Sequence, residues 1–353
     1  MQYLSTLGYT PNILIQKYQL SFLNKLQKLW KDEIGGEVPP DDFLLYPDYH
    51  GLLLIWIRDA NDNHTQWKEK ILEELQKYQA RWNSFSKNNN EVIPWTDICI
   101  TLDYINLDVD KHTHPDHKKN NIGITFWSKS PQEWLTLFAE SFSIVQAVSP
   151  GFMSEINLMI RKILPFDVSY GAHNSWSYSS LIGHLLMSYP AGMDNPEIAL
   201  LEAILHEYNH NKLNLILQTE TLILSDKSEI YYSPYRPDAR HILGIYLGLH
   251  ALAWAYWVIL HAHLNGIITL SEIWKEKAAL YVFKNWLSIQ VLEKYGKFSP
   301  LWDEILKEMI QVHKECLTFI KDGNFSKELL ARAKVRLVDH FNDVKKNYPN
   351  LRS

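Results

Sequence analysis

Cysteine is nearly missing: the 353 residues hold two, Cys99 and Cys316. Two thiols build neither a disulfide framework nor a Cys-based zinc site, and they suit a reducing, cytoplasmic compartment. A basic excess is also lacking. Against 35 Lys plus Arg stand 40 Asp plus Glu, for a net charge of −5, which excludes a general nucleic-acid binder. There is no Gly-rich phosphate loop and no Gly-x-Ser-x-Gly nucleophile motif. Met1–Leu20 has no basic stretch followed by an apolar core, so no secretory signal is expected. No repeat of fixed period and no extended linker divides the chain. Hydrophobic residues at 46% and charged residues at 21% are ordinary globular usage, which excludes global disorder.

What is present is helical periodicity. Pro11–Trp30 carries Leu14, Tyr18, Phe22 and Leu26 on one face. His64–Trp82 reads as a second amphipathic helix. Around Ile98–Leu102 the period shortens to two, and Ile122–Trp127 is a second apolar run. A hairpin with a polar loop, Asp108–Asn121, is the economical arrangement. His112, His114 and His117 lie in that loop among lysines and are expected to be solvated. Ser130–Ile163 returns to helix, and Phe166–Ser188 breaks into short strands at Gly171 and Gly183. Ala199–Leu217 is a strong helix and Leu222–Tyr232 an extended segment. Ala239–Asn265 is a long apolar helix, and three further helices fill Ser271–Tyr295, Pro300–Lys321 and Ser326–Asn347. Ser271, Ser299 and Ser326 are placed as N-caps, with Pro300 at a first helical position.

These elements predict a mainly α protein with a small β component. Residues 1–353 form one unit, with helices and a β-hairpin over 1–164, the site over 165–265 and C-terminal helices over 266–353. From His241 to Leu270 no residue is charged, and Ile242–Leu260 is long enough to span a bilayer. His250, Trp254, Tyr256 and Trp257 interrupt it, so a buried core helix is expected rather than a membrane span. Gly244, Gly248, Ala251 and Ala255 give it a narrow face that lets another helix approach closely.

The strongest chemical signal is His206-Glu207-Tyr208-Asn209-His210, a His-Glu-x-x-His pattern within a helix. Residues four apart share a helix face, so His206 and His210 can chelate one metal ion. Two imidazoles do not complete a site. His250, in the middle of the apolar helix, needs a partner there, and Glu229 and Glu220 are the other candidates for a third ligand. Arg236 and Arg240 flank a Pro-rich turn, where each can pair with Asp238 or hold a ligand carboxylate. His173, Trp176 and Tyr178, on short strands ahead of the metal helix, are candidates to line a substrate pocket.

The run His206-Glu207-x-x-His210, Lys212-Leu213, then Tyr232-Ser233-Pro234-Tyr235-Arg236-x-Asp238-x-Arg240, Gly244 and a helix bearing a histidine resembles the HExxH-domain enzymes of ribosomally synthesised, post-translationally modified peptide pathways. The likeness is dense over Ser169–His263. It implies an iron(II)- and 2-oxoglutarate-dependent hydroxylase that uses O₂ to oxidise a β-carbon in a precursor peptide. By the resemblance, His206 and His210 would be iron ligands, His250 the third, and Arg236 and Arg240 the holders of 2-oxoglutarate. Leu247 stands where many members have a histidine. Such an enzyme leaves metal positions open for co-substrate and O₂, and Glu207 then only orients or stabilises. In the alternative, a zinc metallopeptidase, Glu207 is the general base that activates metal-bound water. A catalytically silent peptide-binding protein is the third class.

Overall fold

A computed structural model of the chain describes residues 11–34, 38–47, 50–51, 53–54, 73, 91–100, 129–166, 173–221, 224, 228–323, 325–349 and 351. The expected helix His64–Trp82, the loop Asp108–Asn121 with its three histidines and the run Ile122–Trp127 lie outside these, apart from Glu73. The protein is mainly helical with a small sheet, as expected. Helix α1 is Pro11–Leu29, continued by a π-turn at Trp30–Ile34, and α2 is the short Asp41–Leu44. Strands β1 (Glu91–Val92) and β2 (Cys99–Ile100) precede α3 (Pro131–Val148) and α4 (Pro150–Met159). Strands β3 (Lys162–Phe166), β4 (Ser175–Trp176) and β5 (His184–Ser188) follow. The rest is helical: α5 (Pro196–Leu217), α6 (Ile242–Leu264), α7 (Glu272–Tyr295), α8 (Pro300–Asp322) and α9 (Lys327–Asn347).

One sequence expectation is corrected. The helix expected over Ser130–Ile163 is two helices and a strand. Ser130 caps α3 in a reciprocal box with Glu133, but Ser149 is extended and Pro150 has no N–H to continue the ladder. Ser149 instead accepts the Phe152 N–H and starts α4. Of the hairpin expected between Ile98–Leu102 and Ile122–Trp127 only Ile98–Ile100 lies among the described residues, and at Cys99–Ile100 both edges are taken. β1 pairs there antiparallel and β3 parallel. Ser271 and Ser326 cap α7 and α9 as expected, whereas Ser299 precedes α8 without a side-chain cap bond.

The sheet order is β1-β2-β3-β5-β4, with β3 and β5 parallel in the register Lys162↔His184 to Phe166↔Ser188. Both central strands are buried along their whole length, so each face needs a cover. Ile163, Leu185 and Met187 join the main core, while Leu164, Phe166 and Leu186 form a second cluster with Trp176 and Tyr178. Gly183 makes the bend before β5 possible. Its φ is +86°, and a Cβ there would stand 2.8 Å from the Met159 carbonyl oxygen.

Helix α6 is apolar around nearly its whole circumference and packs against α5, α7 and α8. Among the described residues it alone is long and apolar enough to cross a membrane, but 78% of its most apolar stretch is buried within the protein. The expected core helix is therefore what forms.

Several histidines are buried without charge. Burial holds His50 and His313 down to about 4 and pushes His184 well below the ordinary imidazole range. Above about pH 6.5 these rings are neutral whether the chain is folded or not, and stability is independent of their titration. Below it, the unfolded chain takes up protons that the folded chain refuses until about pH 4. The urea midpoint is expected to fall steadily from pH 6.5 to 4, and replacing His313 with Gln to shallow that slope. A midpoint flat across this window would contradict the burial of neutral rings.

Candidate metal centre

Helix α5 carries the site because every side of it meets a different partner. Its apolar residues Ile204, Leu205 and Leu213 are fully buried. On one flank, the Tyr208 hydroxyl donates to Glu155 of α4, and Lys212 Nζ lies 2.7 Å from the same carboxylate, itself 1% exposed. Asn209 Nδ2 donates to the Leu205 carbonyl and, at 3.4 Å, to the Ala251 carbonyl of α6. Asn211 Oδ1 accepts the Gly183 N–H at 2.7 Å, and its Nδ2 donates to the His184 carbonyl. These contacts fix the rotation of α5 about its axis and its position on the sheet.

That rotation leaves His206 and His210 half-buried on one face with their Nε2 atoms 3.0 Å apart. Desolvation lowers both imidazoles to about 4, so both rings are neutral, and in the hydrogen bond between them one Nε2 donates to the other. Two nitrogens 3.0 Å apart, each at the usual metal–imidazole distance of about 2.0–2.1 Å, subtend about 90–100° at a shared ion. That spacing is compatible with both rings reaching one ion.

Glu207 lies about a quarter of the way round the helix from His206, and its charge reaches His210. Its Oε1 accepts the Ser175 hydroxyl at 2.8 Å and its Oε2 the Ser177 hydroxyl at 2.6 Å. Both oxygens are thus engaged from β4 and the residue after it, with Glu207 5% exposed. The serines alternate with Trp176 and Tyr178, which point to the other face of the sheet. There Trp176 stacks on Phe166 with ring centroids 4.4 Å apart. The aromatics singled out in the sequence pack in the second cluster, and the serines between them hold the motif's carboxylate. Only the strand's period of two distinguishes the pairs.

Among the described residues no group of three or more His, Cys, Asp or Glu is arranged to hold a metal. His250 is 2% exposed, and its Nδ1 has no hydrogen-bond partner. Its electrostatic neighbours are Lys212 and His210, and it meets the backbone of Asn209. His173 is 3.4 Å from Ser188 Oγ through Nδ1, and its Nε2 is buried and unpartnered. Glu229 accepts the Tyr231 hydroxyl, and Glu220 is exposed. The two arginines converge on one acid: Arg240 Nε is 2.7 Å from Asp238 Oδ2 and Arg236 Nε 3.5 Å from Oδ1.

Sequence reasoning missed the charges that act on the pair. Glu202, one turn before His206, pairs with Lys277 of α7 and accepts the Tyr256 hydroxyl. Both charges reach His206 and His173. Glu202 was findable, since it is four residues ahead of His206; Lys277 was not, because it comes from a distant helix. A cleft of about 440 Å³ between α7 and α9, lined by Tyr232, Leu287, Gln290, Val291, Lys294 and Phe341 among others, contains none of the expected site residues.

No protein-family model and no curated protein matches the chain.

Removing both hydroxyls that bind Glu207, in the Ser175→Ala, Ser177→Ala double variant, is expected to lower unfolding free energy by about 2 kcal/mol or more. Urea unfolding checks this, and wild-type stability would contradict the buried, hydroxyl-held carboxylate.

Proposed function

We propose that this chain is an iron(II)- and 2-oxoglutarate-dependent hydroxylase. It would oxidise a side-chain carbon, the β-carbon by the family resemblance, of a ribosomally made precursor peptide in the cytoplasm. The observation that carries the proposal is the division of labour within the motif. His206 and His210 are half-buried neutral rings with their Nε2 atoms 3.0 Å apart, while both Glu207 oxygens accept hydroxyl hydrogen bonds from Ser175 and Ser177. A zinc peptidase needs that carboxylate free to take a proton from metal-bound water. Here its hydrogen bonds suit it to orienting the helix.

In this account His206 and His210 hold the ion, and His250 or an outside donor supplies a third position. When bound, iron supplies O₂ activation coupled to oxidative decarboxylation of 2-oxoglutarate. The protein's own residues do the rest. Desolvation keeps the two rings unprotonated. Ser175 and Ser177 lock α5 through Glu207. The Glu202–Lys277 pair and Tyr256 set the charge beside His206. Arg236 and Arg240 are the arginines offered to the co-substrate carboxylate, in competition with Asp238.

Incubation with Fe(II), 2-oxoglutarate, O₂ and the precursor peptide is expected to add one oxygen to the peptide and release succinate. Glu207→Gln should slow this by about 10–100-fold, the usual cost of losing an outer support, without changing the product. A cleaved peptide, abolished by Glu207→Gln, would overturn the proposal in favour of a peptidase. Peptide binding without succinate or cleavage would overturn it in favour of a silent binding protein.

A further inference from the structure

Helices α7 and α9 pack against each other and leave the cleft of about 440 Å³ on one side of their seam. Two helical ridges border it. Phe283, Trp286, Gln290 and Glu293 follow one another along α7 at steps of three and four residues, and Lys334, Val338, Phe341 and Lys345 do the same along α9. Two observations place the ridges opposite each other. Lys334 Nζ stands 5.6 Å from the centroid of the Phe283 ring, and Phe341 lines the cleft together with Gln290 and Glu293.

The cleft is apolar inside. Leu287 and Val291 line it from α7, and Tyr232 packs edge-on against Phe341 with ring centroids 4.9 Å apart. The ridges extend this surface outward, with Trp286 50% exposed and Val338 56% exposed. Large apolar side chains left in water at the mouth of an apolar cleft mark a surface that a partner covers.

Charge narrows the choice of partner. The chain is acidic overall, at −5, yet α9 carries six lysines and arginines against three acids. Arg332 and Arg336 are taken by Glu276. Lys334 and Lys345 are exposed on the ridge and stand over the Phe283 and Phe341 rings, and among the described residues neither pairs with a carboxylate. Lys294 lines the cleft and stands over Tyr295. On the two ridges and the lining, these three lysines face one acid, Glu293. An apolar cleft with a basic rim complements a large apolar side chain carried between acidic ones.

We infer that this cleft is a docking groove for an acidic peptide segment. A large apolar side chain of the segment fills the space lined by Leu287, Val291 and Phe341, and its carboxylates meet Lys334 and Lys345. The groove contains none of the metal-centre residues and stands without the metal. Only the assignment of the segment to the precursor peptide, away from the residue that is oxidised, rests on the hydroxylase proposal.

Fluorescence anisotropy with the full-length protein at low ionic strength, with and without Fe(II), tests it. The probes are a labelled peptide with one phenylalanine among glutamates, the same peptide with lysines for the glutamates, and the glutamate peptide with alanine for the phenylalanine. The first is expected to bind the wild type equally with and without iron, and the other two to bind at least about tenfold more weakly. Trp286→Ala should weaken the first peptide. Lys334→Glu combined with Lys345→Glu should weaken it by about tenfold and strengthen the lysine peptide, a reversal that loss of fold does not produce. All three replaced residues are exposed, and circular dichroism checks that the variants fold. No binding by wild type, equal binding of the three peptides, or unchanged binding in the folded variants overturns the groove. A wild-type dimer that the same variants dissociate, seen by sedimentation, overturns the peptide in favour of a second copy of the chain. Iron uptake by the variants should equal wild type, which separates this outcome from any failure of the metal centre.

Discussion

Helix α5 is held in one rotational setting by polar side chains that each require a different neighbour. Tyr208 and Lys212 need Glu155, Asn209 needs α6, Asn211 needs the start of β5, and Glu207 needs the serines at β4. The helix is otherwise buried. Turning it by one residue would strand a carboxylate, a lysine and two amides in an apolar interior, each at a cost of kilocalories. The placement of His206 and His210 follows from this, because theirs is the face those contacts leave over.

The sheet serves this helix. Two parallel strands buried on both faces give α5 a flat support, and Gly183, with its positive φ, lets Asn211 reach the strand's backbone. Helix α6 supplies the opposite wall. Its small residues bring α6 close to its neighbours, and at Gly248 a Cβ would come within 2.7 Å of the Tyr235 ring. The turn that carries the two arginines is thereby seated against α6, and its Tyr235 hydroxyl donates to Asn285 of α7.

Local signals made much of this legible. The five C-terminal helices follow from apolar spacing, and Ser271 and Ser326 mark two of their starts. The histidine pair follows from spacing alone. Pro150 carried the helix break, but the apolar pattern runs across it and hides the stop. The parallel pairing of β2 with β3 joins residues about sixty apart, and no local pattern encodes such a contact. The site was legible only in part for the same reason. Ser175 and Ser177 look like ordinary strand serines until Glu207 is placed above them, and Lys277 looks like a solvated helix lysine until Glu202 of α5 is placed beside it.

The central claim is that one metal ion sits between His206 and His210. Elemental analysis of protein purified without oxygen and reloaded with Fe(II), compared with His206→Ala and His210→Ala, tests it directly. The account predicts one iron per chain in the wild type and none retained after desalting in either variant. A wild type that retains no metal, or variants that retain as much as the wild type, would contradict it.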